Sequence, residues 1–302
     1  MILSDIEKFS ENIQGTVSFD YEIKNLNWFN IGGKTKIFFK PNSLKELIEF
    51  LELYSNRGKI FILGAGSNVL FKDSTYNGAV IKLGKNFSNI SILNENTIIA
   101  GAAATQKKLS EFARDNNISG LEFMYCIPGS VGGGIRMNSG CFNKEFQDAL
   151  ISVQMIDKNG NAKTIPAKEI NFKYRGTDLD EDAIFLSATF KGSKKDKFKV
   201  EEYMNELKSK KEDSQPSKLK TGGSTFKNPK DQTDKKVWEL IKDSVSKEIN
   251  FGDARISEKH ANFFVNKKNA KYEDMKSLID YVKANVKDKT GIIINLEIVI
   301  VE

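Results

Sequence analysis

A single histidine, His260, and only two cysteines, Cys126 and Cys141, leave this 302-residue chain little of the chemistry that metals and disulfides need. One imidazole excludes a multi-histidine metal site and makes any Ser/His/Asp triad depend on that one residue. The cysteines lie apart in loop-like sequence without a CxxC spacing, so they support neither a disulfide framework nor a thiolate zinc site and read as free thiols. A carboxylate-bound metal has no motif behind it, and no metal is expected. No apolar run is long enough to cross a bilayer, and the opening Met1 to Lys8 carries charges where a secretory leader is apolar. The expected location is the cytoplasm, without membrane insertion.

What is present is core material. Hydrophobic residues make up 39% of the chain, with 21 Phe among them, and 302 residues suffice for two domains that need no covalent staples. The net charge of +6 invites a nucleic-acid reading, but acids and bases interleave, as in Glu201, Glu202 and Glu206 followed by Lys208, Lys210 and Lys211. Solvated helix faces account for that pattern, and a polyanionic small ligand fits the excess of positive charge without nucleic acid.

Ser4 to Glu7 and Ser43 to Glu46 have capping-box spacing, the second opening a helix with Leu44, Leu47, Ile48 and Leu51 on one face. Short β-rich runs follow at 36–39, 60–63, 79–83 and 97–100, then an amphipathic helix from Thr105 to Asn116 that Ser119-Gly120 can stop. Runs 151–157 and 162–165 flank Lys158-Asn159-Gly160-Asn161 and predict a hairpin whose Asn-Gly pair supplies positive φ angles. Another strand is expected at 183–190. A lysine-rich polar stretch after Gly192 sets the expected boundary, dividing the chain into residues 1–192 and 193–302. The second part reads as helices near 200–211, 235–245 and 273–286 with strands at 262–266 and 292–301. An α+β fold is the expectation.

Two glycine loops stand out. Leu63-Gly64-Ala65-Gly66-Ser67-Asn68-Val69 follows an apolar strand, where glycines let backbone N–H groups approach an anion. Val69 replaces the third glycine of a GxGxxG, which disfavours a dinucleotide Rossmann fold. The second loop, Ile127-Pro128-Gly129-Ser130-Val131-Gly132-Gly133-Gly134, leads into Met137-Asn138-Ser139-Gly140 and lacks the Lys-Ser/Thr of a Walker A sequence. Together they read either as a diphosphate cradle or as tight turns.

These segments, with Asn30-Ile31-Gly32-Gly33, Gly120-Leu121-Glu122, Tyr174-Arg175, Gln215-Pro216, Gly223-Ser224-Thr225-Phe226-Lys227-Asn228-Pro229 and Ser257 to Phe263, resemble the UDP-N-acetylenolpyruvoylglucosamine reductase family in both content and order. The resemblance runs from about Asn27 to the C-terminus. It implies a two-part FAD-binding domain of the vanillyl-alcohol-oxidase (PCMH) type and a smaller α+β substrate-binding domain. It further implies non-covalent FAD on the two loops (Gly64, Ala65, Gly66, Ser67, Asn68; Ile127, Pro128, Gly129, Ser130, Gly132, Gly133; Asn138, Ser139, Gly140). NADPH is then the reductant and a UDP-sugar enolpyruvyl ether the substrate, in peptidoglycan precursor synthesis. A monomer is expected.

The resemblance assigns Ser224 the donation of a proton to the substrate's second carbon, although Gly-Gly-Ser-Thr alone is also ordinary turn chemistry. Arg175 matches the family's arginine and can fork onto a carboxylate. Glu297 stands in a nearly all-apolar terminal run, where a buried carboxylate is costly unless protonated or paired; an edge glutamate facing solvent is the plain alternative. Lys227 and Asn228 are expected to hold the substrate's diphosphate and carboxylate side, and His260 to be a packing residue.

The chain departs from the family pattern at Trp28, Cys126, Cys141 and Asn295. The only tyrosine between Arg175 and Ser224 is Tyr203, on a charged helix, which indicates the subgroup without a substrate-capping tyrosine loop. Rival readings are a penicillin-binding-type serine enzyme and another oxidoreductase of the same FAD fold. The first rests on Ser217-Lys218-Leu219-Lys220 and Lys220-Thr221-Gly222, but its two motifs would share one lysine.

Overall fold

In the strand Lys34–Lys40 the side chains of Thr35, Ile37, Phe38 and Phe39 are buried while Lys34, Lys36 and Lys40 stay exposed. That alternation, broken only by buried Phe38, suits a strand packed on one face. It joins a four-stranded sheet in the order Thr16–Glu22, Lys34–Lys40, Tyr76–Ile81, Lys59–Ile62, the last pair running parallel. The computed structural model describes residues 2–54, 57–216 and 219–302.

Two compact units result. The first comprises Met1–Asp20, Lys36–Ala65 and Asn77–Lys211; the second comprises Tyr21–Thr35, Gly66–Tyr76 and Glu212–Glu302. The second unit therefore takes two segments from the N-terminal half of the chain. The division after Lys211 falls inside the helix Lys197–Ser214, downstream of Gly192.

The first unit holds two apolar clusters. One gathers Ile6, Phe39, Leu47, Phe50 and Leu51 between the four-stranded sheet and the helices Ile2–Ser10 and Leu44–Tyr54, with Phe39 stacked on Phe50 at 4.4 Å between ring centroids. The other packs the helix Gln106–Asp115 on a five-stranded antiparallel sheet, ordered Ala162–Pro166, Leu150–Ile156, Ile184–Lys191, Thr97–Gly101, Ile90–Asn94. That helix starts where the sequence predicts, because the Thr105 hydroxyl accepts the Lys108 N–H at 3.1 Å.

The second unit is built around the helix Tyr272–Thr290. Met275, Leu278, Ile279, Val282 and Val286 are buried at helical spacing against Leu240, Ile241, Phe226 and Phe264. Asp274 caps its first turn through the Lys271 N–H, and Gly291, at φ +74°, ends it. A small antiparallel sheet, Asn250–Phe251, Ala254–Ile256 and Phe264–Asn266, completes this core.

Three local expectations change. Ser4 lies inside the helix Ile2–Ser10 instead of capping it. In the predicted hairpin only Gly160 takes a left-handed φ, +83°; Asn159 turns its N–H onto Asp157 Oδ1 at 2.9 Å, so the aspartate organises a longer turn than Asn-Gly alone. The terminal strand pairs regularly only over Val299–Val301, parallel to Val69–Phe71, because residues just before it run beside the irregular segment that carries Ser224. Among the described residues no helix is long and apolar enough to cross a membrane.

Candidate active site

In the first unit the second glycine loop is tied down by its own backbone. Val131 and Gly132 donate to the Ala104 and Ala102 carbonyls at 2.8 and 2.9 Å, Gln106 N–H reaches the Gly129 carbonyl at 3.0 Å, and Ser130 bridges Thr105. Ser130 Oγ accepts the Gly133 N–H at 3.2 Å, and Ile127 N–H closes on the Met124 carbonyl. The Oε1 atom of Gln106, a fully buried side chain whose Nε2 donates to the Ser130 carbonyl, has no protein partner.

The first glycine loop begins in the same unit with Gly64 and Ala65; Gly66, Ser67 and Asn68 belong to the second. A Cβ on Gly64 would lie 2.5 Å from Ser130 Oγ, so the two loops touch only because this position has no side chain. The Lys82 ammonium donates to the Gly64 carbonyl at 2.6 Å. Burial, reinforced by neighbouring Lys40, lowers its pKa, and among the described residues no carboxylate pairs with it. The protein therefore leaves positive charge uncompensated beside this loop.

Arg175 also belongs to the first unit. Tyr174-Arg175 forms the turn between Phe172–Lys173 and Gly176–Thr177, and Arg175 takes φ +58°, a left-handed conformation uncommon for a long side chain. Its Nη2 donates to the Gly140 carbonyl at 3.0 Å, its Nη1 lies 3.5 Å from Glu145 Oε1, and its guanidinium covers the Tyr174 ring at 4.8 Å. Glu145 Oε2 accepts from Asn138 Nδ2 at 2.8 Å; Asn138 is fully buried. Ser139 N–H and hydroxyl both turn onto the Gly134 carbonyl. The predicted residues Asn138, Ser139, Gly140 and Arg175 thus form one connected patch.

In the second unit, residues 224–227 lie between two neighbours. Ser224 bridges Phe263 on one side and Phe226 bridges Leu296 on the other. Thr225 N–H donates to the Asn262 carbonyl at 2.8 Å while its carbonyl takes the Glu297 N–H at 2.9 Å, and Lys227 N–H reaches the Asn295 carbonyl at 2.8 Å. Buried Asn262 clamps Phe226 at both backbone atoms, at 3.0 and 2.9 Å. Gly223, at φ +79°, turns the chain into this segment. The Ser224 hydroxyl is half-buried and has no hydrogen-bond partner among the described residues.

Glu297 is half-buried, between the two alternatives its sequence allowed, and Asn68 Nδ2 holds its backbone carbonyl at 2.9 Å. Asn228 Oδ1 accepts the Val237 N–H at 2.9 Å, at the start of the helix Val237–Ser244. The structure therefore gathers Asn68, Ser224, Lys227 and Glu297 in one unit and the Arg175 patch in the other.

Other singled-out residues fall into quieter roles. His260 Nδ1 accepts the Asn262 N–H at 3.2 Å, its ring meets Phe263 at 4.7 Å, and burial lowers its pKa. Neither cysteine is in a disulfide; Cys141 Sγ donates to the Phe123 carbonyl at 3.2 Å, and burial pushes its thiol up to about 12. Ser217 and Lys218 lie outside the described residues, and the Lys220 ammonium donates to the Lys268 carbonyl at 3.0 Å.

Comparison with known proteins fits this geometry. Residues 35–165 match the model of an FAD binding domain, and residues 215–301 match that of the UDP-N-acetylenolpyruvoylglucosamine reductase C-terminal domain. The UDP-N-acetylenolpyruvoylglucosamine reductase of Pelagibacter ubique is 60% identical over 302 residues, the whole of both chains. This chain belongs to the UDP-N-acetylenolpyruvoylglucosamine reductase family. The Rickettsia typhi reductase is 41% identical over 286 residues, 95% of this chain and 96% of that one. A crystal structure of the UDP-N-acetylenolpyruvylglucosamine reductase from Thermus caldophilus superposes with a TM-score of 0.81 at 26% identity, covering 96% of this chain and 100% of that one. Membership in the reductase family makes the chain an FAD-dependent oxidoreductase of peptidoglycan precursor synthesis, with the two-part FAD-binding domain and smaller α+β domain of that family.

The described residues fit the flavin. A contact that leaves no room for a Cβ at Gly64, an uncompensated Lys82 and an orphaned acceptor on Gln106 are what a ligand bearing both diphosphate and hydroxyl donors needs. Sequence reading missed Glu145, Lys82 and Asn262. Asn262 carried a signal, a polar residue just ahead of the apolar run Phe263-Phe264-Val265; Glu145 and Lys82 resemble ordinary surface charges until the chain is folded.

Proposed function

We propose that this protein reduces the enolpyruvyl ether of UDP-N-acetylglucosamine to UDP-N-acetylmuramate in the cytoplasm, with NADPH as reductant and Ser224 as proton donor. The observation that carries the reading is the half-buried Ser224 hydroxyl, which lacks a protein partner among the described residues on a segment fixed on both sides. A hydroxyl held still and left unsatisfied suits a group reserved for a ligand.

Gly64, Ala65, Gly66, Ser67 and Asn68, with Ile127, Pro128, Gly129, Ser130, Gly132, Gly133, Asn138, Ser139 and Gly140, are the residues that hold FAD in this reading. Bound FAD supplies hydride chemistry at N5, renewed by NADPH. Hydride arriving at the terminal enolpyruvyl carbon leaves negative charge on the adjacent carbon, which spreads into the carboxylate beside it. Arg175 binds that carboxylate with paired N–H donors, where charge-assisted bonds strengthen as charge accumulates. Glu297, protonated, donates to the same developing anion. Ser224 delivers its proton to the second carbon, so one hydride and one proton add across the double bond. Lys227 and Asn228 bind the diphosphate and carboxylate side of the substrate.

The test is a paired half-reaction. The purified protein should be yellow, bleach with NADPH and recover its colour with the enolpyruvyl UDP-sugar, yielding a product two hydrogens heavier by mass spectrometry. A colourless preparation that also fails to take up added FAD would sink the reading.

A further inference from the structure

We propose that Glu145 is a positioning residue that presents Arg175 to the substrate's carboxylate; the inference rests on the reading of Arg175 given above. Glu145 divides its carboxylate between two tasks. Oε1 faces Arg175 Nη1 at 3.5 Å, while Oε2 accepts from Asn138 Nδ2 and Gln147 Nε2, each at 2.8 Å. Asn138 is itself immobilised: it is fully buried, accepts the Gln147 N–H at 3.1 Å and donates to the Lys173 carbonyl at 3.2 Å.

This network holds the Arg175 turn from two directions. Asn138 grips the backbone at Lys173, the residue before Tyr174-Arg175, and Glu145 grips the guanidinium at the far end of the side chain. Gly140, whose carbonyl takes Nη2 at 3.0 Å, is the strand partner of Glu145, so the second anchor is set by the same hairpin. The Arg175 and Glu145 side chains are 17% and 23% exposed, little enough for the pair to resist solvent screening.

The backbone adds a reason to read this as more than a surface ion pair. Arg175 keeps a left-handed φ of +58°, which a long side chain adopts only where its surroundings impose it. An arginine ordered before its ligand arrives loses less rotamer entropy on binding, and its fork meets a carboxylate in register. Glu145 touches no reacting atom in this scheme. It acts through Arg175.

A double-mutant cycle on the FAD-loaded protein tests this with wild type, Glu145→Gln, Arg175→Ala and the double variant. The readouts are bleaching by NADPH, recovery by the enolpyruvyl UDP-sugar and calorimetric affinity for that sugar. Glu145→Gln is expected to bleach within about twofold of wild type and recover about tenfold more slowly, and to add less than about twofold to either recovery or affinity loss once Arg175 is alanine, the signature of coupled residues. Equal slowing of both half-reactions, or loss of FAD, would overturn the inference in favour of a structural prop for the flavin loops. The same additional effect in both backgrounds, or none in either, would also overturn it. If Arg175→Ala leaves recovery and affinity unchanged, the reading of Arg175 itself fails; if that variant is slow while Glu145→Gln is normal, only the role of Glu145 fails. Should Glu145→Gln not fold, Glu145→Asp keeps the charge but draws it away from the guanidinium, and the same outcomes apply.

Discussion

The side-chain amide of Asn68 donates to the backbone carbonyl of Glu297 at 2.9 Å, and the Val299 N–H returns to the Asn68 carbonyl at the same distance. The two bonds tie the end of the first glycine loop to the chain terminus and set the register in which Val299–Val301 pairs with Val69–Phe71. Asn68→Leu removes the donor and leaves a half-buried carbonyl unsatisfied. Urea unfolding should show a loss of about 1–3 kcal/mol, the range for an abandoned polar partner. Recovery by the substrate should slow in the same variant, because the Glu297 backbone has lost its clamp; an unchanged urea midpoint would show that the bond contributes nothing.

Ser224→Ala separates chemistry from folding. The Ser224 hydroxyl has no partner among the described residues, so its removal breaks no internal bond, and thermal stability should stay near that of wild type. Bleaching by NADPH should be normal, while recovery by the enolpyruvyl UDP-sugar slows by roughly 10²- to 10⁴-fold, the usual worth of a positioned proton donor. Equal slowing of both steps would instead assign Ser224 to the flavin site.

How far the sequence carries depends on how local each feature is. The cap at Thr105, the apolar face of Tyr272–Thr290 and the hairpin around Gly160 are set by residues close in the chain, and each is readable from spacing. The glycine loops were legible as candidates because Gly64 and Gly66 follow a strand, but the reason Gly64 must be glycine is Ser130, 66 positions away, which no local pattern contains. Glu145 is the stronger case. Its neighbours in sequence, Lys144 and Phe146, say nothing of Arg175, and only the turn at 173–176 brings the pair together. The expected long terminal strand failed for a related reason: its partner at 224–227 is irregular, and alternation along one strand does not reveal a partner's irregularity.

His260 gives a pH prediction with a definite sign. Burial lowers its pKa below the ordinary 6.5, so the folded protein keeps the ring neutral while the unfolded chain protonates it. The unfolded state then binds more protons, and stability present above 6.5 is lost as pH falls through that value. The only histidine gives a single imidazole signal by NMR, expected to titrate below 6.5. Thermal unfolding of wild type and His260→Gln should diverge on acidification from about pH 7 to about pH 5, wild type losing more. A signal titrating at or above 6.5 would falsify the burial argument.

Gly64 and Ser130 offer the sharpest test of how the two glycine loops meet. In Gly64→Ala the new Cβ would lie 2.5 Å from Ser130 Oγ but 3.7 Å from Ser130 Cβ, so the collision is with the hydroxyl alone. That hydroxyl also accepts the Gly133 N–H, which means any displacement passes directly into the second loop. Gly64→Ala should therefore lower FAD content and raise the Kd for added FAD by roughly tenfold, since a shift of one contact in a preorganised site weighs that much. Ser130→Ala alone loses the cap on the Gly133 N–H, a cost of about 0.5–2 kcal/mol in stability. Combined, the two substitutions remove the clash, leaving an ordinary contact at 3.7 Å, and the double variant should bind FAD better than Gly64→Ala by itself. Titration of the apoprotein with FAD, followed by flavin fluorescence, measures all three. If the double variant binds no better than Gly64→Ala, the glycine is required for what approaches the loop from outside and not for its contact with Ser130.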